Sequence, residues 1–245
     1  MSDTPKKATR PRKATAKANA PEEKAAPKEA PEGEKRDDKA QREAVLLAAL
    51  PHAAFDGFID SVLDKAGKEA GVSKLEVTRL FEGGPASLVE FYSVWADDQM
   101  EAKLAGMDLK AMKIRMRIAA AVWARLDALK PHKEAARRAA AMLSLPMNAA
   151  LGAKLMYRTV DAMWRAVGDT STDFNFYTKR GILAGVYGAT AMRWFTDDSD
   201  DQKATEEFLA ARIDNVMQFE KFKAKAAETL SSFPAFADWM KPKPK

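Results

Sequence analysis

From Arg42 onward, apolar residues recur three and four positions apart, as in Val45, Leu46 and Ala49. This spacing places apolar side chains on one face of a helix. The strong helix formers Ala, Leu, Lys, Glu, Arg and Met predominate, and no four-residue window alternates as a β-strand does. We therefore predict an all-α protein whose helices are separated by proline and glycine. The predicted helices span about 41–50, 56–70, 74–81, 85–103, 107–129, 132–144, 146–167, 172–195, 203–222 and 224–240.

Residues 1–40 have a different composition and contain no large apolar residue after Met1. Prolines recur throughout this segment, so it cannot bury enough apolar surface to offset the entropy of ordering, and we predict disorder. The first twenty residues suit a mitochondrial transit peptide, but the acidic stretch "PEEKAAPKEAPEGE" does not. We interpret residues 1–40 as a solvated bacterial tail, followed by a domain at 41–222 and a C-terminal segment at 223–245.

Charge and composition exclude several kinds of site. The sequence contains no cysteine and only two histidines, His52 and His132, far apart in the chain. Residues 1–42 carry 12 basic and 8 acidic residues, whereas residues 43–245 carry 28 and 27, so the basic character belongs to the tail. We find no nucleophile–base pair and no phosphate-binding glycine loop. We therefore expect no catalytic residues, no metal and no cofactor other than a bound lipid.

The stretch from Ile59 to Tyr92 has the pattern of a helix-turn-helix. Gly71 supplies the turn, and Ser73 can cap a short second helix that ends at Phe81. The phrase "KEAGVSKLEVTRLF" resembles the N-terminal region of TetR-type regulators. Residues 56–90, however, hold seven acidic and four basic residues, which disfavours contact with DNA phosphates. We expect no nucleic-acid partner; a TetR-type ligand-responsive transcriptional regulator is the alternative function.

Eight methionines lie between residues 100 and 163. Methionine fills ordinary helical cores, and it also lines adaptable apolar pockets. Both interpretations stay open from the pattern alone. The candidate lipid-pocket residues are Met112, Met116, Met142, Leu143, Met147, Leu151 and Leu155.

The C-terminal segment combines aromatic residues with lysines. This composition suits a helix in a membrane interface, although a helix docked on its own domain fits equally well. Pro234 would kink or end such a helix. The candidate membrane-facing residues are Phe222, Leu230, Phe233, Phe236 and Trp239.

The stretch "GDTSTDFNFYTKRGILAGVYGATAMRWF", residues 168–195, has two unusual halves. In the first half, Phe176 and Tyr177 fall in the first turn of a predicted helix, where we expect at least one of them to be exposed. The alternative is that both side chains pack against the core and fix the helix to it. In the second, Gly181, Gly185 and Gly188 form a stripe, and each costs about 1 kcal/mol of helix propensity relative to alanine. Close packing of another helix can offset this cost.

We predict that this glycine stripe lies in a homodimer interface formed by 173–195 with 203–222. A tight helix crossing within one chain is the alternative.

The segments "DAMWRAVGDTSTDFNFYTKRGILAGVY" (161–187) and "MLSLPMNAA" (142–150) resemble the Coq-nine family, the TetR-like lipid-binding accessory proteins of ubiquinone (coenzyme Q) biosynthesis. The resemblance implies a homodimer that is not a transcription factor and that binds an isoprenoid lipid or phospholipid. It implies attachment to a membrane surface through a mobile C-terminal amphipathic helix. It also implies that ubiquinone precursors are presented to the di-iron hydroxylase that acts on demethoxyubiquinone.

In this family the surface that faces the hydroxylase matches Asp161, Met163, Asp173, Phe176 and Tyr177. Many relatives carry tryptophan where this chain has Phe176, so the surface stays aromatic and lacks an indole N–H. The resemblance implies a peripheral position on the cytoplasmic face of a bacterial inner membrane, or on the matrix side of the inner membrane in a eukaryote.

Overall fold

The structure is a computed structural model that describes residues 32–170 and 174–231, with side chains described for 37–170 and 176–218. Within these residues there are nine α-helices and no strand. The helices are α1 (Glu32–Asp56), α2 (Asp60–Glu69), α3 (Lys74–Leu80), α4 (Pro85–Ala105), α5 (Ile114–Leu129), α6 (Lys133–Leu143), α7 (Ala149–Ala166), α8 (Phe174–Phe195) and α9 (Lys203–Ser231). The all-α prediction is confirmed for this part of the chain.

Helix α1 begins earlier than expected, inside the segment predicted to be disordered. Its first turns are tied to the domain by two ion pairs, one between Asp38 and Arg79 of α3 and one between Lys39 and Asp98 of α4, at 2.9 Å. The helix also continues past Pro51, which is exposed. At an exposed position, water can satisfy the carbonyl that lacks the proline N–H. Contacts with α3 and α4 therefore extend the start of α1, and exposure to solvent allows it to continue past Pro51.

Helices α5 and α9 also differ from the prediction. Helix α5 begins at Ile114 because a short 3-10 turn, Leu109–Ala111, precedes it. The Arg117 side chain closes that turn by donating to the carbonyls of Met112, at 2.9 Å, and Lys110, at 3.2 Å. Helix α9 is continuous from Lys203 to Ser231, where two helices were predicted. The sequence 203–231 contains neither proline nor glycine to end it.

Helices α2 and α3 form the predicted helix-turn-helix, and α1 packs against α2. The Ser73 hydroxyl caps α3 by accepting from the backbone N–H of Glu76 at 3.2 Å. Gly67 allows α2 and α3 to approach closely, because a Cβ there would lie 2.5 Å from a methyl carbon of Val77. Gly71 has a φ of +70°, which glycine adopts without strain.

Helices α4–α9 form a larger bundle, in which α4 packs against α5 and α7, and α8 packs against α7 and α9. The bundle core contains Met100, Leu104, Leu126 and Met163, which are almost completely buried. Much of the methionine-rich middle of the sequence is thus ordinary core. A cavity remains between α4, α5, α6, α7 and α8.

Candidate functional site

The cavity enclosed by α4–α8 has a volume of about 400 Å³. Small residues create the space: Ala136, Ala139 and Ala140 line it from α6, and Gly152 and Gly188 line it from α7 and α8. At Gly152 a Cβ would lie 2.9 Å from the Leu143 carbonyl oxygen, so glycine is needed where α7 approaches the end of α6. The larger apolar residues of the lining are Val89, Leu129, Leu143, Leu155, Met156, Met192 and Phe195.

The cavity reaches the surface at one end and is buried at the other. Ser144 and Met192 line it and are exposed, Met192 by 65%, so they mark the mouth. At the other end lie Tyr92 and Arg125, which are 2% and 4% exposed. An apolar ligand can therefore enter between the α6–α7 turn and α8 and extend towards a polar floor.

The floor is organised by a buried ion pair. Arg125 donates from Nε to Asp97 Oδ1 at 2.8 Å, and Thr159 donates its hydroxyl to the same oxygen at 2.9 Å. Arg125 Nη2 reaches the carbonyl of Ser93 at 3.2 Å and its hydroxyl at 3.3 Å. Arg125 Nη1 and the Tyr92 hydroxyl, by contrast, are buried and have no hydrogen-bond partner in the described structure.

Two phenol groups lie at this floor. Burial raises the pKa of both Tyr92 and Tyr187, so both hydroxyls stay protonated at neutral pH and can donate hydrogen bonds. The Tyr92 ring is held between Phe58 and Trp95, with ring centroids 6.2 and 6.1 Å away. The Tyr92 hydroxyl is therefore a donor in a fixed position.

The seven predicted lipid-pocket residues do not share one cavity. Leu143 and Leu155 line the α4–α8 cavity, whereas Met112 and Met116 line a separate groove between α5 and α9. The physical reason is helix length: Met116 and the cavity residue Leu129 are thirteen positions apart on α5, or about 20 Å along its axis. The other predicted residues line neither space: Met142, Met147 and Leu151.

Sequence reasoning did not single out Tyr92, Asp97, Arg125 or Tyr187. One signal was present in the sequence. Arg125 interrupts the apolar run "IAAAVWARLDAL" at a position four before Leu129, on the face that α5 turns to the core. A charged residue on a buried face requires a partner of opposite charge, but the sequence does not reveal that Asp97 supplies it.

The predicted partner surface is formed where α7 ends and α8 begins. Tyr177 is 68% exposed, as expected for at least one of the two aromatic residues, and Phe176 is half-buried against it at a centroid distance of 5.1 Å. Asp161 is partly buried and accepts from Arg180 Nε at 2.7 Å. Met163 was predicted to belong to this surface, but it is fully buried in the core and therefore cannot itself contact a partner. Asp173 lies outside the described residues.

The predicted dimer glycines have different surroundings. A Cβ at Gly181 or Gly185 would meet nothing within 4 Å, whereas one at Gly188 would lie 3.7 Å from the Met156 methyl group. A tight crossing within this chain therefore does not account for Gly181 and Gly185, and their role in a dimer stays a prediction.

The predicted membrane-facing side chains, Phe222, Leu230, Phe233, Phe236 and Trp239, all lie outside the described side chains. Among the helices that the structure describes, none is long and apolar enough to cross a membrane. Within the same residues no cluster of three or more His, Cys, Asp or Glu is placed to hold a metal ion.

Two of the four basic residues in 56–90, Lys74 and Arg79, are engaged by acidic neighbours. Arg79 pairs with both Asp38 and Glu76, and Lys74 pairs with Asp64 at 2.8 Å. On the same short helix α3 the apolar Leu75 is 82% exposed. A recognition helix that reads DNA usually presents unpaired basic and polar groups to the phosphates and base edges, so this surface is poorly suited to that task.

Comparison with solved structures shows the fold. The structure is similar to the crystal structure of the TetR transcriptional regulator from Nitrosomonas europaea ATCC 19718, with a TM-score of 0.59 and 21% sequence identity. The match covers 71% of this chain and 96% of that chain. The predicted TetR-like, all-α fold is therefore confirmed.

Comparison with known sequences shows the family. Residues 149–220, which contain α7, α8 and half of α9, match the COQ9 family model. The chain is 31% identical over 196 residues to the mitochondrial ubiquinone biosynthesis protein COQ9-B of Xenopus laevis, covering 76% of this chain and 67% of that protein. It is 30% identical over 197 residues to the mitochondrial COQ9 of Rattus norvegicus, and it spans 62% of the length of that relative. This chain thus belongs to the COQ9 family, as its aromatic and glycine motif predicted.

Proposed function

We propose that this protein acts in ubiquinone biosynthesis as a non-catalytic, lipid-binding accessory protein. It holds an isoprenoid or quinone precursor in the α4–α8 cavity and presents it to the di-iron hydroxylase that acts on demethoxyubiquinone. The relatives described above are named ubiquinone biosynthesis proteins, which supports the pathway. The observation that carries the lipid-binding role is the cavity itself.

The cavity has the properties of a small-molecule site. Its volume of about 400 Å³ falls within the usual range for such sites, roughly 300–1,000 Å³. Its walls are mainly apolar, and the polar lining residues Arg125 and Thr159 are buried. An apolar space of this size would be costly to leave empty or filled with water, because its walls would lose their packing contacts. A bound apolar ligand offsets that cost.

The surface around Phe176 and Tyr177 supports a protein partner. Protein interfaces often depend on exposed aromatic residues held by a rigid element. Tyr177 is exposed near the start of α8. Arg180 fixes this part of α8 through its ion pairs with Asp161 and Asp169. The hydroxylase therefore docks on α7 and α8, with Tyr177 as an exposed aromatic contact.

The remaining parts of the proposal concern the membrane and the dimer. The protein works as a homodimer through the stripe of Gly181, Gly185 and Gly188. It binds the membrane peripherally through the segment 223–245, on the cytoplasmic face of a bacterial inner membrane or on the matrix side of a mitochondrial one. The open space beside Gly181 and Gly185 supports the dimer.

A ligand-responsive transcriptional regulator is the competing function for a TetR-like fold. The paired state of Arg79 and Lys74 argues against it. A gel-shift assay at low salt separates the two functions. We expect weak, sequence-independent retardation at most, arising from the basic N-terminal segment; saturable, sequence-specific retardation would overturn the proposal.

Solvent extraction of the purified protein, followed by mass spectrometry, tests lipid binding. We expect a near-stoichiometric lipid or quinone in the wild type. Ala140 lines the cavity and its neighbour Ala141 is exposed outside it, so Ala140→Phe should expel the lipid while Ala141→Phe retains it. If no lipid co-purifies and none binds when added, the lipid-binding function fails.

A further inference from the structure

Residues 109–117, here called the basic turn, run from the 3-10 turn after α4 into the first turn of α5. Four of these nine residues are lysine or arginine, and none is acidic. The ammonium groups of Lys110 and Lys113 have no hydrogen-bond or ion-pair partner within the described residues. Arg115 lies 4.0 Å from the exposed Asp214 of α9, which is a weak contact in water. The positive charge of the basic turn is therefore available to a partner.

The first turn of α5 projects from the bundle. Its residues Ile114, Arg115 and Met116 are all exposed, as is Lys113 before them, whereas a helix that lies flat on a core buries one side of every turn. Ile114 is 46% exposed and Met116 is 55% exposed. Large apolar side chains exposed among lysine and arginine are typical of a segment that lies in a membrane interface.

Arg117 fixes the shape of the basic turn. Its guanidinium donates to the carbonyls of Met112 at 2.9 Å and Lys110 at 3.2 Å. It also donates to the carbonyl of Val167, at the end of α7, at 3.2 Å. The turn is thus held in one conformation, so a partner does not have to order it on binding. The same contact with Val167 places the basic turn beside the α7–α8 connection that leads to Tyr177.

The basic turn also lies next to the part of α9 that leads into the C-terminal segment. Ile114 and Met217 of α9 line the same small apolar pocket. Helix α9 continues from Met217 to Ser231, and the segment 223–245 begins about 9 Å beyond Met217 along its axis. A membrane that is bound by this segment is therefore within reach of the basic turn.

Charge and apolar exposure together favour an anionic bilayer over other partners. A nucleic acid would use the lysines but not the exposed Ile114 and Met116. A soluble apolar ligand would use those two side chains but not the lysines. An anionic bilayer uses both, because its headgroups attract cations and its interface takes up apolar side chains.

We propose that the basic turn is a second membrane-contact surface, in which the lysines and Arg115 meet anionic headgroups while Ile114 and Met116 enter the interface. This surface rests on the membrane role proposed above for the segment 223–245. It adds a fixed contact on the folded domain, which sets the orientation of the domain on the bilayer. The partner surface around Tyr177 is then held next to the membrane.

A fluorescent label tests the insertion directly, because the sequence contains no cysteine and a single one can be introduced. Met116→Cys is labelled with an environment-sensitive nitrobenzoxadiazole dye in the full-length protein. Leu75→Cys is the control, since Leu75 is exposed on α3. On addition of phosphatidylcholine vesicles that contain phosphatidylglycerol, we expect a blue shift and stronger emission at position 116 and no change at position 75.

The double variant Lys110→Gln, Lys113→Gln tests the electrostatic contribution to membrane binding. Each cation near an anionic surface contributes about fivefold to binding at low salt, so we expect the partition coefficient for these vesicles to fall roughly ten- to thirtyfold. Binding to vesicles of phosphatidylcholine alone should change little. The matched control is Lys68→Gln, Lys130→Gln, which removes the same net charge from exposed lysines elsewhere and should reduce binding much less.

The outcomes separate this surface from the membrane role of the segment 223–245. If the wild type binds the vesicles but the label at position 116 stays in water, or if the lysine variant binds no more weakly than its control, the second surface is absent and the role of 223–245 stands. A lysine variant that binds vesicles normally but loses the hydroxylase would show that the basic turn is a protein interface, which also overturns the proposal. If the wild type binds neither kind of vesicle, the membrane role of 223–245 fails as well.

Discussion

The guanidinium carbon of Arg180 lies 3.4 Å from the centre of the Phe176 ring. The same guanidinium donates from Nη1 to the Phe176 carbonyl at 3.2 Å and from Nε to Asp161 of α7 at 2.7 Å. Arg180 also pairs with Asp169 at 3.4 Å. One buried cation therefore joins the end of α7, the loop after it and the first turn of α8, and it holds Phe176 while Tyr177 remains exposed.

Replacing Arg180 should destabilise the protein much more than replacing its neighbour Arg165. Arg180→Met removes the central buried cation, while Lys179 still pairs with Asp169 at 2.7 Å and Arg165 with Asp161. We expect a loss of about 1–3 kcal/mol in the free energy of unfolding, measured in urea. Arg165 also pairs with Asp161, at 3.3 Å, but it is 62% exposed. Arg165→Met should therefore cost less than about 1 kcal/mol. If both variants lose the same free energy of unfolding, the buried ion pairs of Arg180 do not stabilise the junction of α7 and α8.

Tyr177→Asp should prevent co-purification of the hydroxylase and leave the fold and the dimer intact. The exposed ring can be removed without a cavity in the core, whereas a new charge in an apolar interface is unpaired and desolvated. Co-purification from cells that express both proteins, together with circular dichroism, checks both parts. Tyr157→Asp on α7 is the control, since Tyr157 is also exposed. If the Tyr177 variant is unfolded, or if it still binds, the ring is not a partner anchor.

Gly185→Leu should separate the dimer into folded monomers. Within one chain Gly185 is exposed and a Cβ added there would meet nothing within 4 Å, and leucine has a higher helix propensity than glycine by most of about 1 kcal/mol. The monomer should thus keep its helicity, while a subunit packed against the stripe is displaced. Sedimentation velocity measures the change, with Ala102→Leu on the exposed side of α4 as control. A dimer that survives Gly185→Leu would place the interface elsewhere.

Asp197→Asn should reduce the loss of stability at acid pH. The Asp197 carboxylate accepts from the backbone N–H and hydroxyl groups of Ser199 and Thr205, and these hydrogen bonds lower its pKa. Its contribution to stability is thus fully present above the unfolded pKa, about 4, and is lost as the pH falls below that value. Urea midpoints measured between neutral and acid pH should fall less steeply in the variant.

The adjacent Asp198 provides the control for this pH series, because it is exposed. Asp198→Asn should have the same acid dependence as the wild type. If Asp197→Asn and the wild type lose stability in parallel below pH 4, the carboxylate does not contribute through these hydrogen bonds.

Truncation after Lys223 should lower binding to liposomes and preserve the rest of the fold. The removed segment contains four lysines together with Leu230, Phe233, Phe236 and Trp239, a composition that favours an anionic membrane interface. Flotation with vesicles containing anionic lipid measures binding. The difference from binding to zwitterionic vesicles gives the electrostatic contribution to membrane binding. Unchanged flotation would refute the membrane role of this segment.

The amino-acid sequence was sufficient to predict most of the helices, the helix-turn-helix and the family, although the bounds of α1, α5 and α9 differ from the prediction. Apolar periodicity and breaks at proline and glycine are local properties, so they indicate where helices run and which face of each is buried. They also indicated that the first turn of α8 would expose an aromatic residue, which Tyr177 confirms. The segments 161–187 and 142–150 carried the resemblance to the family.

Only the tertiary structure showed what each buried face contacts. The pairing of Asp97 with Arg125 and the position of Thr159 beside them join residues on three helices, and the crossing of those helices is not encoded in the pattern of any one of them. Gly152 and Gly185 look alike in the sequence, yet a Cβ at the first would collide with the Leu143 carbonyl and a Cβ at the second would meet open space. Periodicity specifies that a face is buried, whereas packing between helices distant in the chain decides whether that burial makes core, cavity or interface.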